Sequence, residues 1–347
     1  MFKRFGASIY LGLEDYTISD NLSYLEMLAC EGAELVFISA HMPERSSSFA
    51  AELKLLLSKA RELELKIILD VNKSVFNQMT TFGDIYALRL DYGFDMQEMI
   101  EISQSVPCLI ELNASTVDKL LLEALKANHL DHKKIRFSFN FYPKEYTGMT
   151  YEDVVRITEL LRSYKFPVMM FIPSSSCKRP PLYKGLPTIE EHRNLTLTAI
   201  LADLVILDIE EVVFSDAICN ITEIRKLKRI VSDVIELPME LFVRSTKEVE
   251  QLLADTHKLR KDQSKYLLRT TTRYQDEIES YHTVEREPFF VTMDNVLYKR
   301  YNGEIAICLE KLEKDERVNV IGKLRISGFL LKHLSDSYKI RFTIKGE

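Results

Sequence analysis

The sequence lacks the residue spacings that identify several classes of enzyme. It contains no HxH, HExxH or CxxC spacing, so an obligatory zinc or two-metal site is not expected. No GxSxG elbow is present, and no glycine-rich phosphate fingerprint follows the first apolar segment. Lysines at predicted strand ends are scarce, which disfavours a Schiff-base aldolase. We therefore expect a protein that uses neither a metal nor an organic cofactor.

The chain is also poor in cysteine and has no long apolar run. Its five cysteines are scattered and odd in number, which is typical of a reducing compartment and predicts the cytoplasm. No run approaches the roughly 18 apolar residues of a membrane span, and the N-terminus does not resemble a signal peptide. The net charge of -6 disfavours nucleic acid or an anionic membrane as the partner.

Short apolar runs alternate with amphipathic stretches, which is typical of a parallel sheet built from βα units. Eight runs are predicted strands: Gly6–Gly12, Glu34–Ala40, Lys66–Val71, Ala87–Tyr92, Cys108–Asn113, Ile135–Tyr142, Pro167–Ile172 and Asp203–Ile209. The helical patterns between and after them include Asn21–Gly32, Phe49–Glu64, Thr116–Asn128, Tyr151–Tyr164, Thr188–Ala202 and Asp216–Ser232. Eight such units favour a closed (β/α)8 TIM barrel over an open sheet, which would leave unprotected edges.

The pattern changes near Ile235. Beyond it, short β-like segments are separated by turn signals such as Asn302–Gly303; they are Phe289–Met293, Leu297–Arg300, Glu304–Leu309, Val318–Lys323 and Ile340–Ile344. A chain of 347 residues accommodates a barrel of about 250 residues and a smaller module. We predict a barrel domain over residues 1–234 and a small β-rich domain over residues 235–347.

Polar residues stand at the end of nearly every predicted barrel strand. In this fold the carboxyl ends of the strands meet at one opening, the mouth of the barrel. Five of the polar sets are i, i+2 pairs, whose two members share one face of a strand: Asp70 and Asn72, Arg89 and Asp91, Glu111 and Asn113, Asn140 and Tyr142, and Asp208 and Glu210. Because helices cover the outer face, we expect these pairs to point inward. Some of them could instead fill lower layers of the barrel or pair with Arg89.

Paired carboxylates beside amides and tyrosines suit the hydrolysis of an acetal. One acid protonates the leaving oxygen, and a second carboxylate acts as nucleophile, base or ion stabiliser. Sugar hydroxyls would form hydrogen bonds with the asparagines and tyrosines.

Two loops are too specialised for plain connections. The first, NFYPKEYTGMT, places Tyr142 and Tyr146 over the mouth. The second runs from Pro173 to Asn194 and contains Glu190, His192 and Arg193, which could equally form a solvated first helical turn. Basic residues that could hold an anionic group such as a phosphate are Lys178, Arg179, Lys184, Arg193, Arg269 and Arg273; a charged surface is the competing interpretation.

These segments resemble a known family. LRLDYGF, IELNAST, NFYPKEYTG, GLPTIEEHRN and YNGEIAICLEKLEKDERVNVIG are similar, in order and spacing, to segments of glycoside hydrolase family 170, the bacterial intracellular 6-phospho-N-acetylmuramidases. The resemblance implies a TIM barrel followed by a cyclophilin-like β domain. It also implies hydrolysis of the β-1,4 bond between N-acetylmuramic acid 6-phosphate and N-acetylglucosamine during recycling of peptidoglycan in the cytoplasm.

The pattern and the resemblance together give three sets of candidate residues. Asp91 and Glu111, on adjacent strands, are the predicted catalytic pair, with Asp208 or Glu190 as replacements for either. The predicted substrate-binding residues are Asp70, Asn113, Asn140, Tyr142, Tyr146, Glu190, His192 and Arg193, and the predicted phosphate-binding residues are Arg269 and Arg273. One departure from the family is Phe139, which stands where a histidine commonly precedes NFYP; strand parity places it opposite to Asn140.

Two other functions remain open on the sequence. A phosphosugar isomerase or epimerase on the same barrel would use His41 and carboxylates to move protons beside a carbonyl. A non-catalytic sugar-phosphate sensor would bind the ligand without turnover. The sequence does not fix the oligomeric state.

Overall fold

The computed structural model describes residues 3–40, 49–81, 85–229 and 234–344. These residues form two compact units. The barrel unit consists of the described residues within Phe2–Arg193 and Ile209–Arg229, and the β unit consists of those within Asn194–Asp208 and Ile230–Glu347.

Eight parallel strands close the barrel unit in sequential order, with β8 pairing back to β1. The strands are β1 (Arg4–Ile9), β2 (Leu35–Ser39), β3 (Lys66–Val71), β4 (Ala87–Leu90), β5 (Leu109–Asn113), β6 (Ile135–Ser138), β7 (Val168–Ile172) and β8 (Glu211–Phe214). The helices of the described residues before Val234 are α1 (Ile18–Cys30), α2 (Phe49–Glu62), α3 (Lys73–Phe76), α4 (Met96–Ser105), α5 (Lys119–Ala127), α6 (Tyr151–Ser163), α7 (Leu197–Ile206) and α8 (Ile221–Lys228). The predicted barrel is confirmed.

Polar side chains set the beginning of most of these helices. The residue before the first turn accepts a hydrogen bond from the backbone N–H three positions later, which satisfies one of the free donors of the helix. Such caps are Thr17, Asn72, Asp95, Asp118, Thr150, Thr196 and Asn220. These capping hydrogen bonds therefore fix the residue at which each of these helices begins.

Strand alternation places both apolar and charged side chains in the interior of the barrel. Phe37 of β2 packs edge-to-face against Phe171 of β7, with ring centroids 4.9 Å apart. The neighbouring inward positions on β3 to β6 carry charged residues, among them Asp70, Arg89 and Glu111, all of which are buried. The interior of the barrel therefore contains an apolar cluster and a cluster of buried charged residues.

The eighth strand was predicted in the wrong place. The segment Asp203–Ile209 is not a strand, because α7 continues to Ile206 and β8 begins only at Glu211. Helix α7 is buried on successive residues from Thr198 to Leu204, and a continuous apolar run of this kind does not distinguish a buried helix from a buried strand.

The β unit is a seven-stranded mixed sheet in the order β10-β15-β9-β14-β12-β13-β11. Its elements are β9 (Val234–Leu241), α9 (Lys247–Ala254), β10 (His257–Lys258), β11 (Leu267–Arg273), β12 (Phe290–Asp294), β13 (Glu304–Cys308), β14 (Val318–Leu324), α10 (Gly328–His333) and β15 (Lys339–Ile344). Helix α7 contributes Ala199 and Ala202 to the core of this unit, beside Ile235 and Leu237 of β9. In the described part of the chain no helix has the length and apolar character needed to cross a membrane.

Candidate active site

The guanidinium of Arg89 is the centre of the charged cluster in the barrel. Its Nη1 donates to Oδ1 of Asp70 at 2.7 Å and to Oδ1 of Asp91 at 2.8 Å. Its Nη2 donates to Oδ1 of Asn140, and its Nε donates to Oγ of Ser138 at 2.9 Å. These partners come from β3, from β6 and from the segments that follow β4 and β6, so one side chain connects the ends of three βα units.

Asp70 and Asp91 therefore form a close carboxylate pair. The sum of their two bonds to the same nitrogen, 2.7 and 2.8 Å, limits the distance between the two Oδ1 atoms to 5.5 Å. The side chain of Asp91 is 22% exposed and that of Asp70 is 6% exposed. Asp91 is thus the member of the pair that is open to solvent.

Glu111 is more completely buried than either member of this pair. It aligns with Arg89 on one side and with Arg136 on the other, and its side chain is 0% exposed. Its Oε2 is 2.7 Å from Nε of Arg136, whereas its Oε1 is 3.9 Å from Nε of Arg89. Glu111 thus separates two buried guanidiniums.

The row of alternating charges continues across the barrel. Nη2 of Arg136 donates to Oε2 of Glu211, and Arg4 pairs with Oε1 of the same carboxylate at 2.5 Å. Burial alone would lower the pKa of Arg89, but the carboxylates of Asp70, Asp91 and Glu111 more than offset burial and raise that pKa. The cluster therefore contains a permanent cation with carboxylates on several sides.

Two predicted amide residues border the cluster. Asn113 caps a short 3-10 turn at Ala114–Thr116, and its Oδ1 accepts a hydrogen bond from the backbone N–H of Ser115 at 2.9 Å. Ser115 Oγ in turn accepts from the backbone N–H of Asn140 at 2.9 Å. Phe139 is fully buried and so does not join Asn140 at Arg89. Both asparagines are held by neighbours that fix where their amides point.

Glu190 and Arg193 clamp the loops that follow β6 and β7. The carboxylate of Glu190 accepts hydrogen bonds from the backbone N–H of Tyr146 at 2.9 Å and of Gly148 at 2.7 Å. Nε of Arg193 donates to the same carboxylate at 2.7 Å, and other donors of Arg193 bind the carbonyls of Tyr142 and Gly185 at 3.0 and 2.8 Å. The bonds from Arg193 lower the pKa of Glu190 to about 2. This carboxylate is therefore ionised, and its oxygens already accept hydrogen bonds from Tyr146, Gly148 and Arg193.

The remaining predicted residues of these loops differ in exposure. Tyr146 is 91% exposed, whereas His192 is 0% exposed and packs edge-to-face on Tyr151 at 5.7 Å between ring centroids. Tyr142 is half-buried. Of the three, Tyr142 and Tyr146 have side chains that a ligand could reach, and His192 is part of the protein core.

The true end of β8 carries a carboxylate that the sequence analysis missed. Asp216 follows Phe214 by two residues and accepts hydrogen bonds from the backbone N–H of Ser174 at 2.9 Å and of Arg179 at 3.0 Å. Burial raises its pKa. The guanidinium of Arg179 lies 4.6 Å from the ring centre of Tyr10, which follows β1. Recognition of Asp216 would have required the correct position of β8.

Asp208 is not at the mouth of the barrel. It follows the C-terminus of α7 with a positive φ of 54°, its N–H donates to the carbonyl of Val205 at 3.1 Å, and it precedes β8 instead of ending it. Its predicted placement was wrong, because Asp and Asn tolerate the left-handed conformation that commonly ends a helix. Glu210, its predicted partner, pairs with Lys3 at 2.6 Å.

Arg269 and Arg273 lie on β11 of the β unit. Arg269 donates to the carboxylate of Asp262 at 3.1 Å, and Arg273 donates to that of Glu304 at 2.9 Å. His41 lies outside the described residues. Among the residues that are described, no group of three or more His, Cys, Asp and Glu side chains could hold a metal ion.

Comparison with known proteins gives two matches to family sequence models. The model described as 6-phospho-N-acetylmuramidase, N-terminal, matches residues 5–229, and the one described as 6-phospho-N-acetylmuramidase, C-terminal, matches residues 235–343. No curated protein matches the chain.

Two solved structures match almost the whole chain. An uncharacterized protein from B. cereus is 26% identical with a TM-score of 0.82, and the match covers 99% of this chain and 100% of that one. A conserved protein of unknown function from Enterococcus faecalis is 25% identical with a TM-score of 0.71, and the match covers 99% of this chain and 97% of that one.

Proposed function

Because this chain belongs to the 6-phospho-N-acetylmuramidase family of glycosidases, we propose that it hydrolyses the bond between N-acetylmuramic acid 6-phosphate and N-acetylglucosamine. The observation that carries this proposal within the barrel is the carboxylate pair of Asp70 and Asp91 on one nitrogen of Arg89. A glycosidase of the retaining type needs two carboxyl groups about 5 to 5.5 Å apart. The upper limit of 5.5 Å between the two Oδ1 atoms is compatible with that requirement.

In this proposal Asp91 is the carboxylate that faces the anomeric carbon. It is the more exposed of the two, and the guanidinium of Arg89 at 2.8 Å stabilises its charged form. A charged carboxylate at this position can attack the sugar or stabilise the oxocarbenium ion. Asp70 is then the partner that exchanges a proton with the leaving oxygen and with water. In this proposal its burial and the neighbouring charge of Asp91 keep Asp70 protonated despite its bond to Arg89.

We assign Asp70 rather than Glu111 to the pair because of burial. Glu111 is 0% exposed and lies 2.7 Å from Nε of Arg136. A group that reacts with a disaccharide must reach it, and Glu111 instead compensates the charge of two guanidiniums inside the barrel. Its proposed role is to hold Arg89, and through Arg89 the pair, in position.

The anionic groups of such a substrate need cations in the barrel unit. Lys178 and Arg179, in the loop after β7, are suitable: Arg179 stacks on Tyr10, and Lys178 acts electrostatically on Asp216. A phosphate or a lactyl carboxylate could form charge-assisted hydrogen bonds with them. A phosphate-binding role for Arg269 and Arg273 stays a prediction.

The substrate also suggests where the protein acts. Phosphorylated muramyl disaccharides would be intermediates in the recycling of peptidoglycan fragments, and we propose this role in the cytoplasm. The five free cysteines support a reducing compartment.

The test is incubation of the full chain with the phosphorylated disaccharide and with its unphosphorylated counterpart. We expect release of N-acetylglucosamine from the former, with kcat/KM at least about 100-fold higher, because an ion pair between a phosphate and a guanidinium or ammonium group is lost with the latter. Equal cleavage of both would overturn the phosphate requirement. Cleavage of neither would overturn the proposed reaction.

A further inference from the structure

The β unit contains an open pocket of about 380 Å³. This volume falls in the range of sites for small ligands. The walls are formed by Arg260, Thr270, Thr271, Thr272, Arg273 and Glu304. All of these side chains are polar, and all of these residues belong to the β unit.

A break in strand pairing forms one wall of the pocket. Strand β11 pairs with β13 at Leu267–Arg269 and again at Arg273, but the register shifts between the two stretches. Irregularities of this kind often re-aim side chains beside binding sites. Here the shift covers the three consecutive threonines, and the side chain of Thr272 is held by Nδ1 of His257 at 3.1 Å.

Two guanidiniums lie near one carboxylate in the lining of the pocket. Nη2 of Arg273 is 2.9 Å from Oε2 of Glu304, whereas Nη1 of Arg260 is 4.0 Å from Oε1 of Glu304. Nε and Nη2 of Arg260 bind the carboxylate of Asp262 at 2.9 and 2.8 Å. Nη1 of Arg260 is therefore too far from Glu304 for a hydrogen bond, and Arg260 lines the pocket.

The charges around this pocket do not cancel. Among the residues that line the pocket, Arg260 and Arg273 supply two positive charges and Glu304 supplies one negative charge, which leaves one positive charge. Guanidinium groups bind phosphate and carboxylate groups through paired N–H donors. The threonine hydroxyls and the Glu304 carboxylate are suited to hydrogen bonds with the hydroxyl groups of a ligand.

We propose that this pocket binds a small hydroxylated molecule that carries one phosphate or carboxylate group. Arg260 and Arg273 hold the oxyanion, and the threonines and Glu304 bind hydroxyl groups of the same molecule. The proposal is argued only from residues of the β unit, and Arg273 is also one of the two residues predicted from the sequence to bind phosphate.

The absence of tryptophan from the chain allows a direct test. In the full chain, Tyr301→Trp places a single fluorescent reporter where the Tyr301 ring lies 5.8 Å from the guanidinium carbon of Arg273. The probes are glucose 6-phosphate, glucuronate and glucose, which share a sugar ring and differ in the anionic group. We expect saturable fluorescence changes with one or both charged probes and a change at least about tenfold weaker with glucose. The stronger charged probe identifies the anion.

A matched pair of substitutions tests the location. Thr271 is exposed, so Thr271→Glu and Thr271→Gln alter the pocket equally in size and differ only in charge. We expect Thr271→Glu to weaken binding at least about fivefold relative to Thr271→Gln, because a like charge would lie near the anion. Arg273→Gln should weaken binding similarly, and Arg325→Gln, which removes a guanidinium paired with Glu240 elsewhere in the unit, should not.

Three results would overturn the proposal. They are equal binding of glucose and the charged probes, no saturable change with any probe up to millimolar concentration, and equal affinity in the two Thr271 variants. Circular dichroism of each variant shows that the fold is retained.

Discussion

Arg89 and Asp91 lie two residues apart, on and just after one barrel strand, and Nη1 of Arg89 donates to Oδ1 of Asp91 at 2.8 Å. The relationship exists because side chains two apart on a strand share one face. It orients the one carboxylate of the pair that is open to solvent and favours its charged form. The chemistry proposed for the barrel depends on this contact.

Removal of either carboxylate of the pair should abolish most turnover. We expect Asp91→Asn and Asp70→Asn each to lower kcat about 10²- to 10⁴-fold, the usual contribution of a group that transfers protons or charge. The measurement is release of N-acetylglucosamine from the phosphorylated disaccharide. Asp208→Asn is the control, because Asp208 is an exposed residue of the β unit, and its kcat should stay within about twofold of the original.

The two roles can be separated with azide. If Asp91 is the nucleophile, azide added to Asp91→Ala yields a glycosyl azide of inverted configuration, whereas azide added to Asp70→Ala yields one of retained configuration. Full activity of both variants would contradict the assignment. The reverse stereochemistry would exchange the roles of the two residues.

Arg89 should act as a positioning residue whose effect shows in the pH profile. Without its guanidinium both carboxylates of the pair lose the positive charge that lies 2.7 and 2.8 Å from them. We expect Arg89→Gln to lower kcat and to move the acidic limb of the kcat/KM profile upward by about 1 pH unit or more. Arg89→Lys should restore part of both. A merely structural role would lower activity in both variants and leave the limb in place.

The sequence predicts which strand side chains point into the barrel, but it does not predict how deeply each of them is buried there. Asp70, Arg89, Asp91 and Asn140 were predicted to share the interior, and they meet at one guanidinium. Glu111 has the same parity and, like Asp70, aligns with Arg89, yet its side chain is more deeply buried than that of Asp70, at 0% against 6% exposed. The stagger between strands sets this depth, and stagger is a property of barrel closure that no local pattern reveals.

Two other features could not be predicted from the sequence: the position of the eighth strand and the hydrogen bonds of Glu190. The apolar run around Leu204 fits a helix and a strand equally well, and the error removed Asp216 from consideration. Glu190 was interpreted as a residue that meets substrate, but its acceptors bind N–H groups more than 40 positions earlier in the chain, at Tyr146 and Gly148. Long-range partners of this kind follow only from the folded structure.

Loss of the Glu111 carboxylate should reduce stability more than it reduces chemistry. Glu111→Gln removes one of the two carboxylates that pair with Arg136 and leaves Glu211. Loss of one partner of a buried ion pair costs about 3 to 5 kcal/mol, and the remaining pair with Glu211 should keep the loss near the lower end of this range. Urea denaturation measures this loss. The double variant Glu111→Gln with Arg136→Met should recover part of it. A stable Glu111→Gln protein without turnover would instead indicate a direct catalytic role for Glu111.

Asp294 should make the stability of the chain fall as the pH rises. Burial, with Glu304 as the next contribution, raises the pKa of this carboxyl from 3.8 to about 7 in the folded state. The unfolded chain therefore releases the proton first, so stability declines between about pH 4 and pH 7 and stays low above that range. We expect Asp294→Asn to raise the free energy of unfolding by about 2 kcal/mol at pH 8 and to change it little at pH 4.

Asp262→Asn is the contrasting variant: its bonds to Arg260 lower the pKa of Asp262 to about 2, so this substitution should lower stability at neutral pH and have no effect near pH 2. Urea denaturation of the three proteins across this range decides the matter, and parallel pH curves for Asp294→Asn and the original chain would show that Asp294 titrates normally in the folded state.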